Sequence, residues 1–198
     1  MTKILVAYAT MAGATADVAR AVGEELARSG AQVDVLAVEA IHSLDGYDAV
    51  VVGGPMIMGW HRSAMGFVKK HRAALRRVPF AVFVTAMSLT QTGQTGVDDV
   101  AVFVDENLPK APEHAGRLTL RERYAQVRNY IGPILAAARP ARPVEVGLFG
   151  GRLQYGRLKW WAVLFVTLVI QAPGTDRRNW PAIRAWAARL PAALQPAG

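Results

Sequence analysis

The chain has 198 residues, 52% of them hydrophobic, which excludes a disordered chain and predicts a single domain over residues 1–198 with a sizeable core. It contains no cysteine, which excludes disulfides, thiolate metal sites and cysteine nucleophiles. The formal net charge is +8, and residues 151–198 hold seven arginines and lysines against one aspartate, a distribution that favours an anionic partner.

Strand-like apolar runs alternate with amphipathic helical patterns along the chain. The predicted strands are Lys3–Tyr8, Gln32–Ala37, Ala49–Gly53, Phe80–Ala86 and Val144–Gly150. The predicted helices are Gly13–Ser29 with Gly30 as C-terminal cap, Ser63–Leu75 with Ser63 as N-cap, Leu120–Ala138 with a bend near Gly132 and Pro133, and Pro181–Ala193. Near-continuous apolar strands separated by helices predict an α/β domain of three layers, in which a doubly wound sheet of five parallel strands is covered on both faces.

The loop after the first strand, Thr10–Thr15, consists mostly of small and hydroxylated residues: Thr10, Met11, Ala12, Gly13, Ala14 and Thr15. A strand, a small-residue turn and a helix in this order present backbone N–H groups to a phosphate at the helix N-terminus. The loop has neither the Gly-x4-Gly-Lys-Ser/Thr pattern of nucleoside triphosphate loops nor the Gly-x-Gly-x-x-Gly pattern of dinucleotide sites. An ordinary strand-to-helix turn remains an alternative.

Two further loops follow the third and fourth predicted strands. The third-strand loop comprises Pro55, Met56, Ile57, Met58, Gly59 and Trp60, and the fourth-strand loop comprises Ala86, Met87, Ser88, Leu89 and Thr90. Apolar and polarizable side chains beside close-approaching backbone form a suitable wall for a planar ring, although a position at the edge of the core would also explain them. The four histidines lack the spacing of metal ligands, and no Gly-x-Ser-x-Gly motif indicates a hydrolase.

Two segments exceed what such a sheet needs. Thr90–Gly116 is polar and rich in turn residues, and we expect an enlarged loop there with a short helix over Asp98–Asn107. Gly151–Arg178 is a long insertion after the fifth strand.

Within that insertion, Trp160–Ile170 is apolar apart from Thr167 and is too short to cross a bilayer as a helix. Arg157, Lys159, Trp160 and Trp161 stand at its start, a composition typical of a membrane interface. A buried strand, a core helix, a lid and an oligomer contact remain alternatives for this segment.

Thr10–Thr15 resembles the phosphate loop of the flavodoxin family. Val50–His71 and Leu148–Arg178 resemble the corresponding stretches of the menaquinone-dependent protoporphyrinogen dehydrogenases, a flavodoxin-like family. The resemblance implies the strand order 2-1-3-4-5 and FMN as cofactor, with its phosphate on the first loop and its ring between the third-strand and fourth-strand loops. It also implies oxidation of a porphyrinogen with a quinone as acceptor. Met11 and Ala12 depart from the more polar residues expected in such a loop.

We therefore expect an FMN-dependent oxidoreductase that passes electrons from a hydrophobic substrate to a quinone. An electron-transfer flavodoxin without substrate chemistry and a flavin-free interaction domain remain alternatives. The expected partners are a quinone, a porphyrinogen and an anionic membrane surface. Association with a second copy of the chain remains an alternative. Nucleic acid is not expected as a partner, because the chain contains no recognised nucleic-acid-binding motif. Because the first strand begins almost at once, we expect no signal peptide and a cytoplasmic protein, on the inner face of the cell membrane if it is peripheral.

Overall fold

The structure is a computed structural model that describes residues 1–56, 59–91, 93, 96–114, 116–152 and 176–195. The described helices are α1 (Ala14–Arg28), α2 (Arg62–Leu75), α3 (Leu120–Tyr124), α4 (Val127–Ala138) and α5 (Trp180–Ala193), with a short 3₁₀ helix at Val38–Ala40. The described strands are β1 (Lys3–Tyr8), β2 (Gln32–Ala37), β3 (Ala49–Met56), β4 (Phe80–Ala86), β5 (Leu89–Thr90), β6 (Gly96–Val97), β7 (Val100–Val104), β8 (Pro109–Lys110) and β9 (Glu145–Gly150).

The central sheet has the strand order β2-β1-β3-β4-β9-β7-β6 in the described part of the chain. Its first five strands are parallel and are the five that the sequence predicts, in the predicted order 2-1-3-4-5. β3 and β4 are buried along their whole lengths, as expected for central strands covered on both faces.

The enlarged region extends this sheet, which makes the prediction of five strands too small. β7 pairs parallel with β9, and β6 returns antiparallel to β7. The short helix predicted over Asp98–Asn107 is therefore wrong. Asp98 and Asp99 form the turn with positive φ angles of 51° and 64°, and the β-branched and aromatic run Val100–Val104 pairs with the otherwise open edge of β9.

Helices cover both faces of the sheet and divide the core into two clusters. Val18 and Val22 of α1 and Trp186 of α5 pack on one face. Phe67 of α2 and Ile131 of α4 pack on the other. This is the three-layer α/β architecture predicted from the alternation of strands and helices, and it places the carboxyl ends of β1, β3, β4 and β9 along one edge of the domain.

Two predicted helix details are wrong. The long helix predicted over Leu120–Ala138 is two helices, because the carbonyl of Ala125 leaves the helical pattern to accept a hydrogen bond from the N–H of Thr90 at 2.6 Å. Pro133 lies within α4, on its exposed side, where water can reach the carbonyl that proline leaves unbonded. The N-cap of α2 is His61 instead of Ser63. By contrast, Gly30 follows α1 with a φ of +88°, as its role in ending the helix requires.

Candidate functional site

A cleft lies at the carboxyl edge of the sheet, where the loops that follow β1, β3, β4 and β9 meet. Its lining consists of Thr10, Met11, Ala12, Ala14, Thr15, Pro55, Met56, Thr85, Ala86, Met87, Gly151 and Arg152. The structure thus brings together parts of all three predicted loops. Thr85, Gly151 and Arg152 were not among the predicted site residues.

The first loop closes on itself and leaves the start of α1 open. The N–H of Gly13 donates to the Thr10 hydroxyl oxygen at 2.9 Å, and Gly13 has a φ of +90°. Gly13 is also the N-cap of α1, so no side chain caps the helix there. The first N–H groups of a helix lack intrahelical acceptors, and they carry the positive end of the helix dipole. Together these features make the start of α1 suitable for binding an anion.

Thr15 joins the start of α1 to the end of β4. Its hydroxyl lies 2.9 Å from the hydroxyl of Thr85, and both side chains are buried. One hydroxyl proton is used in this contact, since either oxygen can be the donor. The pair therefore keeps one O–H donor beside the cleft.

The third-strand loop divides between the cleft and the core. Pro55 and Met56 line the cleft, whereas Trp60 is only 8% exposed and packs into the core. The Trp60 indole N–H donates to the carbonyl of Tyr130 at 2.6 Å, and a Cβ at Gly54 would lie 2.8 Å from the Trp60 ring. Trp60 therefore supports the loop from behind instead of lining the cleft, and Gly59, with a φ of +122°, stands just before it. Ile57 and Met58 lie outside the described residues.

The fourth-strand loop divides in the same way. Ala86 and Met87 line the cleft. Leu89 and Thr90 form β5, which is buried and pairs with β8, and the Thr90 hydroxyl donates to the carbonyl of Glu122 at 2.9 Å. Leu89 and Thr90 are thus not among the residues that line the cleft.

Tyr130 of α4 holds both of these loops. Its hydroxyl donates to the carbonyl of Ser88 at 2.8 Å, while its own carbonyl accepts the Trp60 indole N–H. Burial raises the pKa of Tyr130 to about 12, so the phenol remains a donor at neutral pH. One residue of α4 therefore links the two loops to each other.

A sequence model of the flavodoxin domain matches residues 5–178, most of the chain and all four cleft-forming strand ends. The chain belongs to the flavodoxin domain family. Proteins of this family bind FMN. A comparison with curated proteins finds no match.

Solved structures similar to this flavodoxin domain include other flavodoxins. The two-electron reduced flavodoxin of Megasphaera elsdenii is 12% identical, with 94% of this chain and 98% of that chain covered and a TM-score of 0.48. The flavodoxin of Streptococcus pneumoniae TIGR4 is 12% identical, with 96% and 99% covered and a TM-score of 0.49. The rubredoxin:oxygen oxidoreductase of Desulfovibrio gigas is 20% identical, with 44% of this chain covered and a TM-score of 0.41. This chain spans 24% of that oxidoreductase.

The residues of the cleft fit the parts of FMN. A phosphate monoester needs N–H donors and positive potential, and the flavodoxin domain presents the uncapped start of α1 beside small side chains. A planar ring needs apolar walls, and Pro55, Met56 and Met87 line the cleft. Met11, a departure from the more polar residue expected there, is 44% exposed.

Charged residues that the sequence prediction missed stand beside the first turn of α1. Asp17 accepts hydrogen bonds from Arg152 at 3.2 Å and from Arg178 at 2.8 Å, and it also pairs with Arg20. Hydrogen bonding to Asp176 raises the pKa of Arg178, and the same contact lowers the pKa of Asp176. The only sign of this cluster in the sequence is Asp17 in the first turn of α1, and acidic residues are common at that place in helices.

Other classes of site are not seen in the described residues. No group of three or more histidine, aspartate or glutamate side chains there is arranged to hold a metal ion. None of the helices within the described ranges has the length and apolar character needed to cross a membrane. Arg157, Lys159, Trp160 and Trp161, predicted to contact a membrane or substrate, lie outside the described residues.

Proposed function

We propose that this flavodoxin domain is an FMN-dependent oxidoreductase that transfers electrons from a porphyrinogen-like substrate to a quinone at an anionic membrane surface. The observation that carries the proposal is the convergence of three strand-end loops on one cleft beside the uncapped N-terminus of α1. In open α/β sheets, ligands bind outside the carboxyl ends of the strands, and flavodoxin is a standard example of this rule.

Each loop has a role in this proposal. Thr10–Thr15 holds the phosphate through backbone N–H groups and the hydroxyl of Thr10. Pro55 and Met56 on one side, and Ala86 and Met87 on the other, flank the ring. Trp60 and Ser88 keep those loops in place through Tyr130. When bound, FMN supplies the redox chemistry by accepting electrons from a donor and returning them to an acceptor, and the protein supplies position and exclusion of water.

The choice of substrate rests on the chemistry of the carboxyl-terminal quarter. Porphyrinogens carry carboxylate side chains on an apolar macrocycle, and residues 151–198 combine seven cations with the tryptophans at 160 and 161. The electrons and protons removed from the porphyrinogen end on the quinone, which becomes the quinol. The exposed thioether of Met11 at the cleft offers an apolar contact to such a substrate.

The cofactor is tested first, by the absorbance spectrum of the purified protein and mass identification of the released flavin. We expect FMN to be released and to rebind the apoprotein in titration calorimetry. An Ala12→Asp variant places a negative charge in the first loop and should lose FMN, whereas Ala136→Asp on the exposed side of α4 should retain it. Failure of the wild-type apoprotein to bind FMN would favour the flavin-free alternative.

The reaction is tested with protoporphyrinogen and menadione under anaerobic conditions, with porphyrin fluorescence as the readout. We expect porphyrin to form only when both enzyme and quinone are present, and Ala12→Asp to abolish turnover together with FMN binding. An FMN-loaded protein that exchanges electrons with redox partners but forms no porphyrin would instead support the electron-transfer alternative.

A further inference from the structure

Among the described residues that line the cleft, Arg152 is the one with a cationic side chain, and it comes from the last quarter of the chain. It follows β9, where the N–H of Gly151 donates to the carbonyl of Ala86 at 2.8 Å and so brings this backbone against the end of β4. The Arg152 side chain is 22% exposed, and it lines the same cleft as Thr10, Ala12 and Thr15 of the first loop.

Only part of the Arg152 guanidinium is used within the protein. Its Nη2 donates to Asp17 Oδ2 at 3.2 Å. Its Nε is buried and has no hydrogen-bond partner among the residues that the structure describes. Buried donors are nearly always paired, so an orphaned guanidinium N–H in a binding cleft indicates an acceptor that arrives from outside.

The charges around Arg152 also leave room for an anion. Asp17 Oδ2 already accepts a shorter bond, 2.8 Å, from Arg178, and Asp17 Oδ1 pairs with Arg20. Asp176 pairs with Arg178. Three guanidinium groups therefore share two carboxylates in this cluster, which has one positive charge in excess.

We propose that Arg152 binds the phosphate of FMN and makes the cleft discriminate FMN from riboflavin; this inference rests on the proposed FMN site. Asp17 orients the guanidinium through Nη2, and the buried, unpaired Nε reaches a phosphate oxygen when the partly exposed Arg152 side chain shifts as the phosphate enters. The helix N-terminus supplies partial charges and backbone donors, and Arg152 adds a full charge and a charge-assisted hydrogen bond. Asp17 is thus a positioning residue that acts through Arg152.

The test compares two ligands that differ only in the phosphate. FMN and riboflavin are titrated into apoprotein, with quenching of flavin fluorescence as the readout, for the wild type and for Arg152→Met. We expect the variant to bind FMN about tenfold more weakly or worse, as expected from loss of one charge-assisted hydrogen bond, and to bind riboflavin as the wild type does. Arg152→Lys should recover part of the preference for FMN, because it restores the charge without the Nε donor.

Arg20→Met is the matched control, since it removes another cation from the same carboxylate. Arg20 is 62% exposed and does not line the cleft, so the variant should keep its preference for FMN within about twofold. An equal loss of FMN affinity in Arg20→Met and Arg152→Met would overturn the inference, because a general charge effect would then explain both.

Other outcomes separate this inference from the proposed function. If the wild type binds neither flavin, the FMN site itself is refuted. If the wild type binds FMN and Arg152→Met retains the same preference for FMN over riboflavin, only the role of Arg152 is refuted. The same holds if Arg152→Met weakens both flavins equally, which would indicate a structural role. Arg152→Gln, which keeps an amide donor toward Asp17, gives the same comparison if Arg152→Met fails to fold.

Discussion

At the scale of single residues, the end of β9 leaves no room for a side chain. A Cβ at Gly150 would lie 1.9 Å from the carbonyl oxygen of Arg177, a backbone atom that cannot swing aside as the end of a side chain can. Arg177 is itself held, because its guanidinium donates to the carbonyls of Met87 at 2.8 Å and Asn107 at 2.9 Å. The buried carboxylate of Asp105 accepts from Asn179 at 2.8 Å nearby.

Gly150→Ala should therefore destabilise the domain strongly. The new methyl group would push the backbone at Arg177 away from β9, and overpacking of this kind costs about 1–3 kcal/mol or more in free energy of unfolding. Gly66→Ala is the matched control, because nothing lies near its Cβ position and alanine favours a helix by about 0.5–1 kcal/mol. Urea unfolding of both variants measures the difference. Equal stabilities would contradict the close approach of β9 and Arg177.

We expect His71 to make the stability of the domain depend on pH. It is buried on α2, its ring centroid lies 4.7 Å from that of Phe67, and its Nε2 has no partner among the described residues. Burial, together with the charge of Lys70, lowers the pKa of His71 below its ordinary value of 6.5. As pH falls through 6.5, the unfolded chain binds a proton that the folded protein does not, so the free energy of unfolding decreases.

His71→Leu should remove this contribution. We expect the loss of stability between about pH 7 and about pH 5 to be smaller in the variant than in the wild type, as measured by urea unfolding at each pH. His42→Gln changes an exposed histidine and should retain the wild-type loss. A wild-type loss that persists undiminished in His71→Leu would show that another group is responsible.

At the scale of elements, α4 positions the two loops that flank the candidate ring site. Its Tyr130 donates to Ser88 through the side chain and accepts from Trp60 through the backbone. Tyr124 stands next to it, with ring centroids 6.3 Å apart, but is 41% exposed. The two tyrosines thus allow the same chemical change to be made at a buried and at an exposed position.

Tyr130→Phe should lower the free energy of unfolding by about 1 kcal/mol, because it removes one buried hydrogen bond and little volume. Tyr124→Phe should change it by less than about 0.5 kcal/mol. Thermal unfolding of the two apoproteins measures this difference. FMN titration should also show weaker binding only for Tyr130→Phe, because only that variant releases the carbonyl of Ser88. Equal FMN affinities would mean that the fourth-strand loop holds its position without Tyr130.

The elements that sequence analysis predicts well are those with a strong local pattern. The five parallel strands carry continuous apolar runs, and α1 and α2 carry a clear amphipathic period, so their existence follows from the chain itself. The existence of β7 does not follow from its own pattern, because Val100–Val104 becomes a strand only by pairing with the edge of β9. The break between α3 and α4 likewise depends on a tertiary hydrogen bond from Thr90.

The same distinction holds for the candidate site. The first loop can be predicted from the sequence because one short stretch carries all of its chemistry. The residue type of Trp60 suits a ring wall and predicts a place in the cleft. Its burial instead depends on Gly54, whose missing side chain leaves room for the indole, and on Tyr130, which is 70 residues away in sequence. Arg152 and Asp17 are separated by 135 residues, and only the tertiary fold brings them together.

At the scale of the whole molecule, the distribution of charge matters more than the total. Residues 1–150 carry a net formal charge of +2, since residues 151–198 contribute +6 of the +8. Part of this positive charge is neutralised inside the domain, where Arg178 and Arg184 pair with Asp17, Glu24 and Glu25. Arg157 and Lys159 lie in the segment outside the described residues, beside Trp160 and Trp161. The proposed contact with an anionic membrane surface therefore rests on those four residues.

Replacement of Trp160 and Trp161 by alanine should weaken membrane binding. In flotation assays, we expect the wild type to rise with vesicles that contain anionic lipid and to remain behind with purely zwitterionic vesicles, because each cation near such a surface contributes about 1 kcal/mol. The double variant should bind anionic vesicles about tenfold more weakly, since each indole contributes apolar area at the interface.

Leu120→Ala removes another apolar side chain, 84% exposed on α3, and should float as the wild type does. Raising the salt from about 0.1 M to about 1 M should release the wild type, because the screening length falls from about 10 Å to about 3 Å. Equal flotation of the wild type and the double variant would exclude these tryptophans from membrane contact and leave the cations alone to account for any binding.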